Sequence, residues 1–540
     1  MKKICALAVL AAFSLCPFSM LSAEEPKGPN VILIVMDTTR ADHLGCYGYG
    51  RPTTPNIDEV AKESVLFTNA ISVIPLTTPA HISIMTGIHP DRHLVFRNFI
   101  PVPEDITMLA QILKKAGYAT AASVSSQLVG SHLGFDRGFD FFSGTSGTKR
   151  GLMRPGNETV DDAMNWLSAN YKKKFFLWVH LYDPHLPYEP PDEFGLKFNK
   201  DYARYKEELG GMPQIFYKDL GEHAPKAGMD RKGAVTAAER AGKEGGVVGG
   251  KAPSPTGKRP IRTVVPARMG HMPFMTPEKV EQMIAAYDGE LAFDDDLLGK
   301  IFAFLKKNRI YKDTVIIIMA DHGEILHEKR DYFGHHEFLY QGSIHVPLIM
   351  RFPGVPPKII KERIAIIDVL PTLLDGIGIK NKKAIDGISF WDAINGGAEI
   401  VIRNQLVILT NVMFNAAGAF SSAPPSGSPR RAARPAQQPQ EVNFYQAFNK
   451  SALFQDNWKI LKNNLPQEPY ELYNIESDPG EDRDLYGTAD FKQAFMQLQQ
   501  ALESYLYDKA GVDITTRIAP PARRKRDAEP GVFAVNRRGG

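Results

Sequence analysis

Asn30-Val31-Ile32-Leu33-Ile34-Val35-Met36, followed at once by Asp37-Thr38-Thr39-Arg40, is the stretch on which the fold turns. The first seven residues carry no charge and show no alternation of polar and apolar positions. A strand exposed on one face would alternate, so this run reads as a strand buried on both faces, the pattern of a parallel sheet. Phe175 to His180 (FFLWVH) and Thr314 to Ala320 (TVIIIMA) repeat the pattern, and Val346 to Arg351 (VPLIMR) resembles them. Helical patterns lie between: Ile106 to Lys115, Glu278 to Lys307, and Ala365 to Ile377. Buried strands alternating with amphipathic helices predict an α/β fold, a large mostly parallel sheet flanked by helices. Such sheets gather their chemistry at the carboxyl ends of the strands. The residues that follow these strands are polar: Asp37, then Asp183 and His185, then Asp321 and His322.

Outward from this sheet the chain changes character. Its 540 residues allow one large core or two. With 43% hydrophobic and 23% charged residues it is not disordered as a whole. The net charge of +3 conceals two basic stretches. Lys226 to Arg262 holds nine basic and three acidic residues, and Arg517 to Gly540 holds seven and two. Without them the remainder is acidic, which excludes nucleic-acid binding by bulk charge. Residues 224–266, 421–440 and 508–540 have too few apolar side chains to offset the entropy of ordering, and are expected to be disordered. After residue 440, strand-like runs at Ala452 to Gln455, Trp458 to Lys462 and Glu471 to Asn474 precede a helix from Phe491 to Leu506. They predict a smaller C-terminal antiparallel-sheet subdomain over 401–507, after a main domain over 29–400.

At the amino terminus Lys2 and Lys3 precede an apolar run from Ile4 to Met20, and Leu21-Ser22-Ala23 supplies the small residues of a cleavage site. This reads as a signal peptide cut near Ala23, with export to the periplasm or beyond and no transmembrane span in the mature chain. Cys5 and Cys16 leave with it, so Cys46 stays alone and no internal disulfide is expected.

Five polar clusters are candidates for chemistry. Asp37 to Arg40 ends the first strand, where a lone Asp also serves as a helix N-cap. Asp321-His322-Gly323-Glu324 places a carboxylate beside an imidazole, a pairing suited to a divalent metal. Tyr182 to Tyr188 is a loop that two prolines stiffen around His185. Gly334-His335-His336 adds two imidazoles, which otherwise read as exposed or hydrogen-bonded histidines. In Pro75 to His81 the hydroxyl of Thr77 stands at the start of a short helix, where an anion or an ionised nucleophile is favoured, or where it is simply an N-cap.

Taken together these clusters resemble the sulfatase family of the alkaline-phosphatase superfamily, from about Asn30 to Tyr486. The resemblance includes Leu44 to Gly48, Thr54 to Asp58, Thr86-Gly87, Tyr182 to His185, Tyr287 to Glu290, Asp321 to Glu324, Glu471 to Asn474 and Asp478 to Glu481. It implies a catalytic alkaline-phosphatase-like domain whose metal ligands are Asp37, Thr77, Asp321 and His322. The departures are informative. Thr77 stands where such sulfatases have the Cys or Ser that becomes formylglycine, and His81 stands where they have Arg. Thr38 replaces an acid, His322 an Asn and His335 a Lys, and the segment Ser125-Ser126-Gln127 lacks the family's Gly-Lys-Trp-His.

The implied chemistry is metal-dependent hydrolysis of a sulfate or phosphate ester, with Thr77 attacking sulfur or phosphorus in line. One divalent ion is implied, calcium, manganese or zinc, and the His322 ligand tilts the choice toward manganese or zinc. His185 or His335 is expected to protonate the leaving oxygen, and the other imidazole and His81 to steady the equatorial oxygens. The substrate is expected to be a small-molecule, glycan or lipid ester. Two other readings are a non-catalytic protein of this fold that holds an anionic glycan, and an envelope scaffold acting through the basic segments.

Overall fold

The run Asn30–Met36 is strand β1, and all seven of its residues are buried. In this computed structural model the described residues are 28–145, 153–208, 275–336, 338–396, 405–410, 450–465 and 468–508. The leader, the stretches 224–266 and 421–440, and the tail beyond residue 508 lie outside them.

The large sheet also contains β2 (Val65–Ile71), β3 (Ala119–Val124), β4 (Phe141–Ser143), β5 (Phe175–Leu181) and β6 (Thr314–Met319). After the short hairpin strands β7 (Ile325–Leu326) and β8 (Phe333–Gly334), it is completed by β9 (His345–Arg351), β10 (Lys358–Ile360) and β11 (Ile364–Ala365). Across the sheet the order is β10, β2, β9, β6, β1, β5, β3, β4, with β11 also on β2. β9 runs antiparallel to both β2 and β6, and every other pairing is parallel. The mostly parallel α/β fold expected from the sequence is therefore the fold observed.

Period-two geometry splits β1 between two cores. Val31, Leu33 and Val35 belong to one apolar cluster, whereas Ile32, Ile34 and Met36 belong to the other. Helices cover both faces. The longest, Pro277–Lys307, starts at Thr276, whose side chain accepts from the N–H of Lys279 at 3.3 Å. From it Tyr287 and Asp295 reach across to fix loops of the sheet. Tyr287 Oη donates to Thr38 O at 3.0 Å and accepts from the N–H of Arg40 at 2.9 Å. Asp295 takes the N–H groups of Asn56 and Ile57 at 3.0 and 2.8 Å, which caps the helix Pro55–Ala61.

Two helical expectations shift. The helix read from Ile106 begins at Leu109, where the side chain of Gln111 accepts from the N–H of Met108 at 2.9 Å. The pattern Ala365 to Ile377 is divided into β11, a turn over Ile366–Asp368 and a helix Val369–Gly376. Asp368 explains the break, because its carboxylate accepts from the N–H groups of Ala365 and Ile388, both at 2.7 Å.

The second sheet is antiparallel: β12 (Gln405–Thr410), β13 (Lys450–Gln455), β14 (Trp458–Leu465) and β15 (Glu468–Asn474) in sequence order. Helix Lys492–Asp508 packs through Leu498, Leu502 and Leu506. This sheet meets the main one through polar as well as apolar contacts. Thr410 Oγ1 donates to His336 O at 2.8 Å, and a fully buried ion pair joins Lys459 to Glu481. Lys459 also donates to Leu339 O, and Glu481 accepts from the N–H of Gln341 at 2.6 Å. Among the described residues no helix is long and apolar enough to cross a membrane.

Candidate active site

The carboxyl ends of β5, β1 and β6 are side by side because β1 lies between the other two. Asp37 follows β1 and continues its ladder, its N–H donating to Leu181 O at 2.9 Å. Asp321 and His322 follow β6. Asp37, Asp321 and His322 are buried, and each offers a ligand atom within 4.8 Å of the others. The Nδ1–H of His322 donates to Gly323 O at 3.1 Å, so its Nε2 presents a lone pair. That lone pair faces Asp321 Oδ2 at 3.3 Å, Asp37 Oδ1 at 4.0 Å and Thr77 Oγ1 at 3.4 Å. Asp37 Oδ1 and Asp321 Oδ2 lack hydrogen-bond partners among the described residues. Two carboxylate oxygens and an imidazole lone pair gathered in one buried cluster suit a divalent cation. Burial and the charges of Asp321 and Glu324 push the Asp37 carboxyl well up. Asp321 is buried too, yet His322 and His81 hold it below the usual carboxylate range.

Thr77 opens the fully buried helix Thr77–Thr86. Thr78 turns away, its hydroxyl donating to Leu128 O at 2.7 Å. His81 gives its Nδ1–H to Thr77 O at 2.8 Å, and the same nitrogen is 3.4 Å from Asp321 Oδ2. Its Nε2 is buried and has no hydrogen-bond partner among the described residues. A neutral His81 thus offers an acceptor there, and steadies a substrate oxygen only as the imidazolium. Thr38 has φ 53°, a left-handed conformation that costs a β-branched residue roughly 1–3 kcal/mol. Its buried Oγ1 has no hydrogen-bond partner among the described residues.

A second group adjoins the first. His335 follows β8, and the rings of His322 and His335 are 4.2 Å apart between centroids. His185 comes from the loop after β5, stacked on Tyr182 at 4.4 Å. The Nε2 atoms of His185 and His335 lie 3.2 Å apart. Glu324 completes the group, which places a ligand atom from each of the three within 4.8 Å of the others. Burial pushes His185 down to about 4 and His335 well below its ordinary value, and it pushes Glu324 up to about 8.

All seven residues singled out from the sequence therefore come together at one rim of the sheet. Two that belong with them carry no assigned role in the sequence reading. His180 lies inside β5 with Nε2 3.3 Å from Asp37 Oδ2, and Glu324 ends the Asp-His-Gly-Glu run. The signal for His180 is an imidazole in an otherwise apolar strand, one turn of the pleat before the rim.

The sulfatase family profile matches residues 29–379. The chain belongs to the sulfatase family. Among characterised sulfatases, the ulvan-active sulfatase of Formosa agariphila is 24% identical over 387 residues, which span 68% of this chain and 65% of that protein. The N-acetylglucosamine-6-O-sulfatase of Bacteroides thetaiotaomicron is 24% identical over 529 residues, spanning 92% of this chain and 89% of that one. Among solved structures, the phosphonate monoester hydrolase of Agrobacterium radiobacter superposes with a TM-score of 0.62 at 20% identity, covering 92% of this chain and 100% of its own. The sulfatase fold is thus shared with enzymes named for sulfate esters and for phosphonate esters.

Proposed function

We propose that this sulfatase-family chain is an exported, metal-dependent hydrolase of sulfate or phosphate esters in which Thr77 is the nucleophile. The observation that carries the reading is the Thr77 hydroxyl, 3.4 Å from His322 Nε2 beside the Asp37, Asp321 and His322 set. A divalent cation held by those residues would supply Lewis acidity toward the Thr77 hydroxyl and a non-bridging oxygen of the ester. Asp37, hydrogen-bonded to Thr77, takes the hydroxyl proton, and the first-turn N–H groups of the helix Thr77–Thr86 favour the anionic transition state. As the bond from Thr77 Oγ to sulfur or phosphorus forms, the bond to the leaving oxygen breaks on the opposite side. The His185 and His335 pair is assigned to that leaving oxygen. Both Nδ1 protons are committed to backbone carbonyls, so the proton the leaving oxygen needs comes from water, not from either ring as expected from the sequence. Water then releases sulfate or phosphate and restores the hydroxyl. Manganese or zinc suits the imidazole ligand better than calcium does. The substrate is a small-molecule, glycan or lipid ester, and export is supported by the leader-like residues 1–23.

A Thr77→Ala variant should lose at least a thousandfold in turnover of nitrophenyl phosphate or sulfate, whereas Thr78→Ala, whose hydroxyl only holds Leu128 O, should retain most of it. Trapped adduct located by peptide mass spectrometry checks the assignment. An adduct on another residue, or full activity in Thr77→Ala, would overturn it.

A further inference from the structure

The two imidazoles of the second group face each other in an arrangement that neutral rings alone do not tolerate. His185 gives its Nδ1–H to Leu186 O at 2.6 Å, and His335 gives its Nδ1–H to Pro75 O at 2.9 Å. Carbonyl oxygens only accept, so both protons are fixed and each neutral ring turns a bare Nε2 lone pair toward the other. The two lone pairs are 3.2 Å apart. Two nitrogens bound to one tetrahedral ion at 2.0–2.1 Å stand about 3.3 Å apart, so the spacing is that of two ligands of a common cation. Glu324 is wholly buried beside them, and its Oε1 has no hydrogen-bond partner among the described residues. Its Oε2 accepts from Tyr188 Oη at 2.7 Å and from the N–H of Leu186 at 3.3 Å. Leu186 thus orients two of the three groups, one through each side of its peptide, as second-layer partners of metal ligands do.

We propose that His185, Glu324 and His335 bind a second divalent cation of the zinc or manganese class, adjoining the one assigned to Asp37, Asp321 and His322. The charges favour it. Asp37, Asp321 and Glu324 bring three negative charges when ionised, and their hydrogen-bond and ion-pair partners among the described residues are imidazoles, hydroxyls and backbone amides. Arg40 reaches the main-chain oxygen of Glu324 but commits its guanidinium charge to Asp42 and Glu328. One divalent ion leaves the pocket negative toward an anionic ester, whereas two make it positive. Paired ions of this kind clamp the attacking and the leaving oxygen of an in-line displacement. His335 ties the second site to the first in the chain as well, since its partner Pro75 is two residues before Thr77.

The inference rests on the preceding reading only in taking the first group as a cation site, and its test reads metal rather than turnover. The full chain would be stripped with chelator, reloaded with zinc or with manganese, and its metal per chain counted by mass spectrometry. Two ions are expected for the unaltered protein. Glu324→Gln keeps the Tyr188 contact but loses the charge, and it should lose one ion, as should His335→Ala. Asp37→Ala combined with Asp321→Ala should lose the other, and circular dichroism should show each variant folded. One ion in the unaltered protein, with Glu324→Gln unchanged, would overturn the second site and show that a proton separates the two rings. Two ions without any ester turnover would leave the second site standing and overturn the proposed hydrolysis instead.

Discussion

His180 is the residue whose part in the site is easiest to overlook. Its Nε2 meets Asp37 Oδ2 at 3.3 Å, and its ring lies 4.7 Å from that of His81, so it holds the oxygen of the Asp37 carboxylate that does not face His322. Removing such a partner weakens metal affinity by about ten- to a hundredfold without removing a ligand. His180→Ala should therefore raise the dissociation constant for manganese by that factor, measured by titration calorimetry, while leaving the number of ions per chain unchanged. The sequence made the candidate ligands legible, because Asp37, Asp321 and His322 stand at the first polar positions after apolar strands. It hid His180, because inside a strand a residue's neighbours are set by sheet order. His180 is paired with Val35 and Val124, and neither pairing is written in the local pattern. Glu324 was visible as a motif member, but its direction depends on Tyr188 and Leu186, 136 and 138 positions away.

At the scale of elements, the helix Gly156–Asn170 sets the loop that carries His185. The N–H of Gly156 donates to Asp183 Oδ1 at 3.0 Å, and a Cβ on Gly156 would stand 2.6 Å from Asp183 Oδ2 and 3.1 Å from Asp294 Oδ1. Gly156→Ala should push the Asp183 loop outward, cost about 1–3 kcal/mol as an overpacked contact does, and lower turnover through His185. Gly50→Ala, with nothing within 4 Å, is the control and should change neither. Thermal unfolding and kcat/KM report the two effects. Apolar runs without alternation identified β1, β5, β6 and β9. The strand β3, Ala119–Val124, escaped because its sequence ATAASV is small and mixed, and is buried by its neighbours rather than by its own hydrophobicity. The direction of β9 was also illegible, since a run buried on both faces fits either orientation.

At the scale of the molecule, the second sheet meets the first beside a charge pair that has no contact with water, Lys459 donating to Leu339 O and Glu481 accepting from the N–H of Gln341. Lys459 and Glu481 are both fully buried, which makes each dependent on the other. Glu481→Gln should destabilise the protein by about 3–5 kcal/mol, since it strands a buried ammonium, while Lys459→Met with Glu481→Leu should recover most of the loss. Denaturant unfolding of the two variants beside the unaltered protein would check this. The closing signature Asp478 to Glu481 was legible in the sequence, but the partner of Glu481 was not, because it depends on how the loop after β15 folds back onto β14. The position of β1 carries a consequence for the ribosome. Asn30 pairs with Thr314, and Val31 pairs with Phe176, so the first strand to be made takes its neighbours from far downstream. At about 5–20 residues per second, synthesis takes on the order of 15–60 s to travel from β1 to β6. For that interval a strand buried along its whole length in the finished sheet has one side without a partner. The nascent chain must be shielded by whatever receives it, and the first strand translated is among the last to be enclosed.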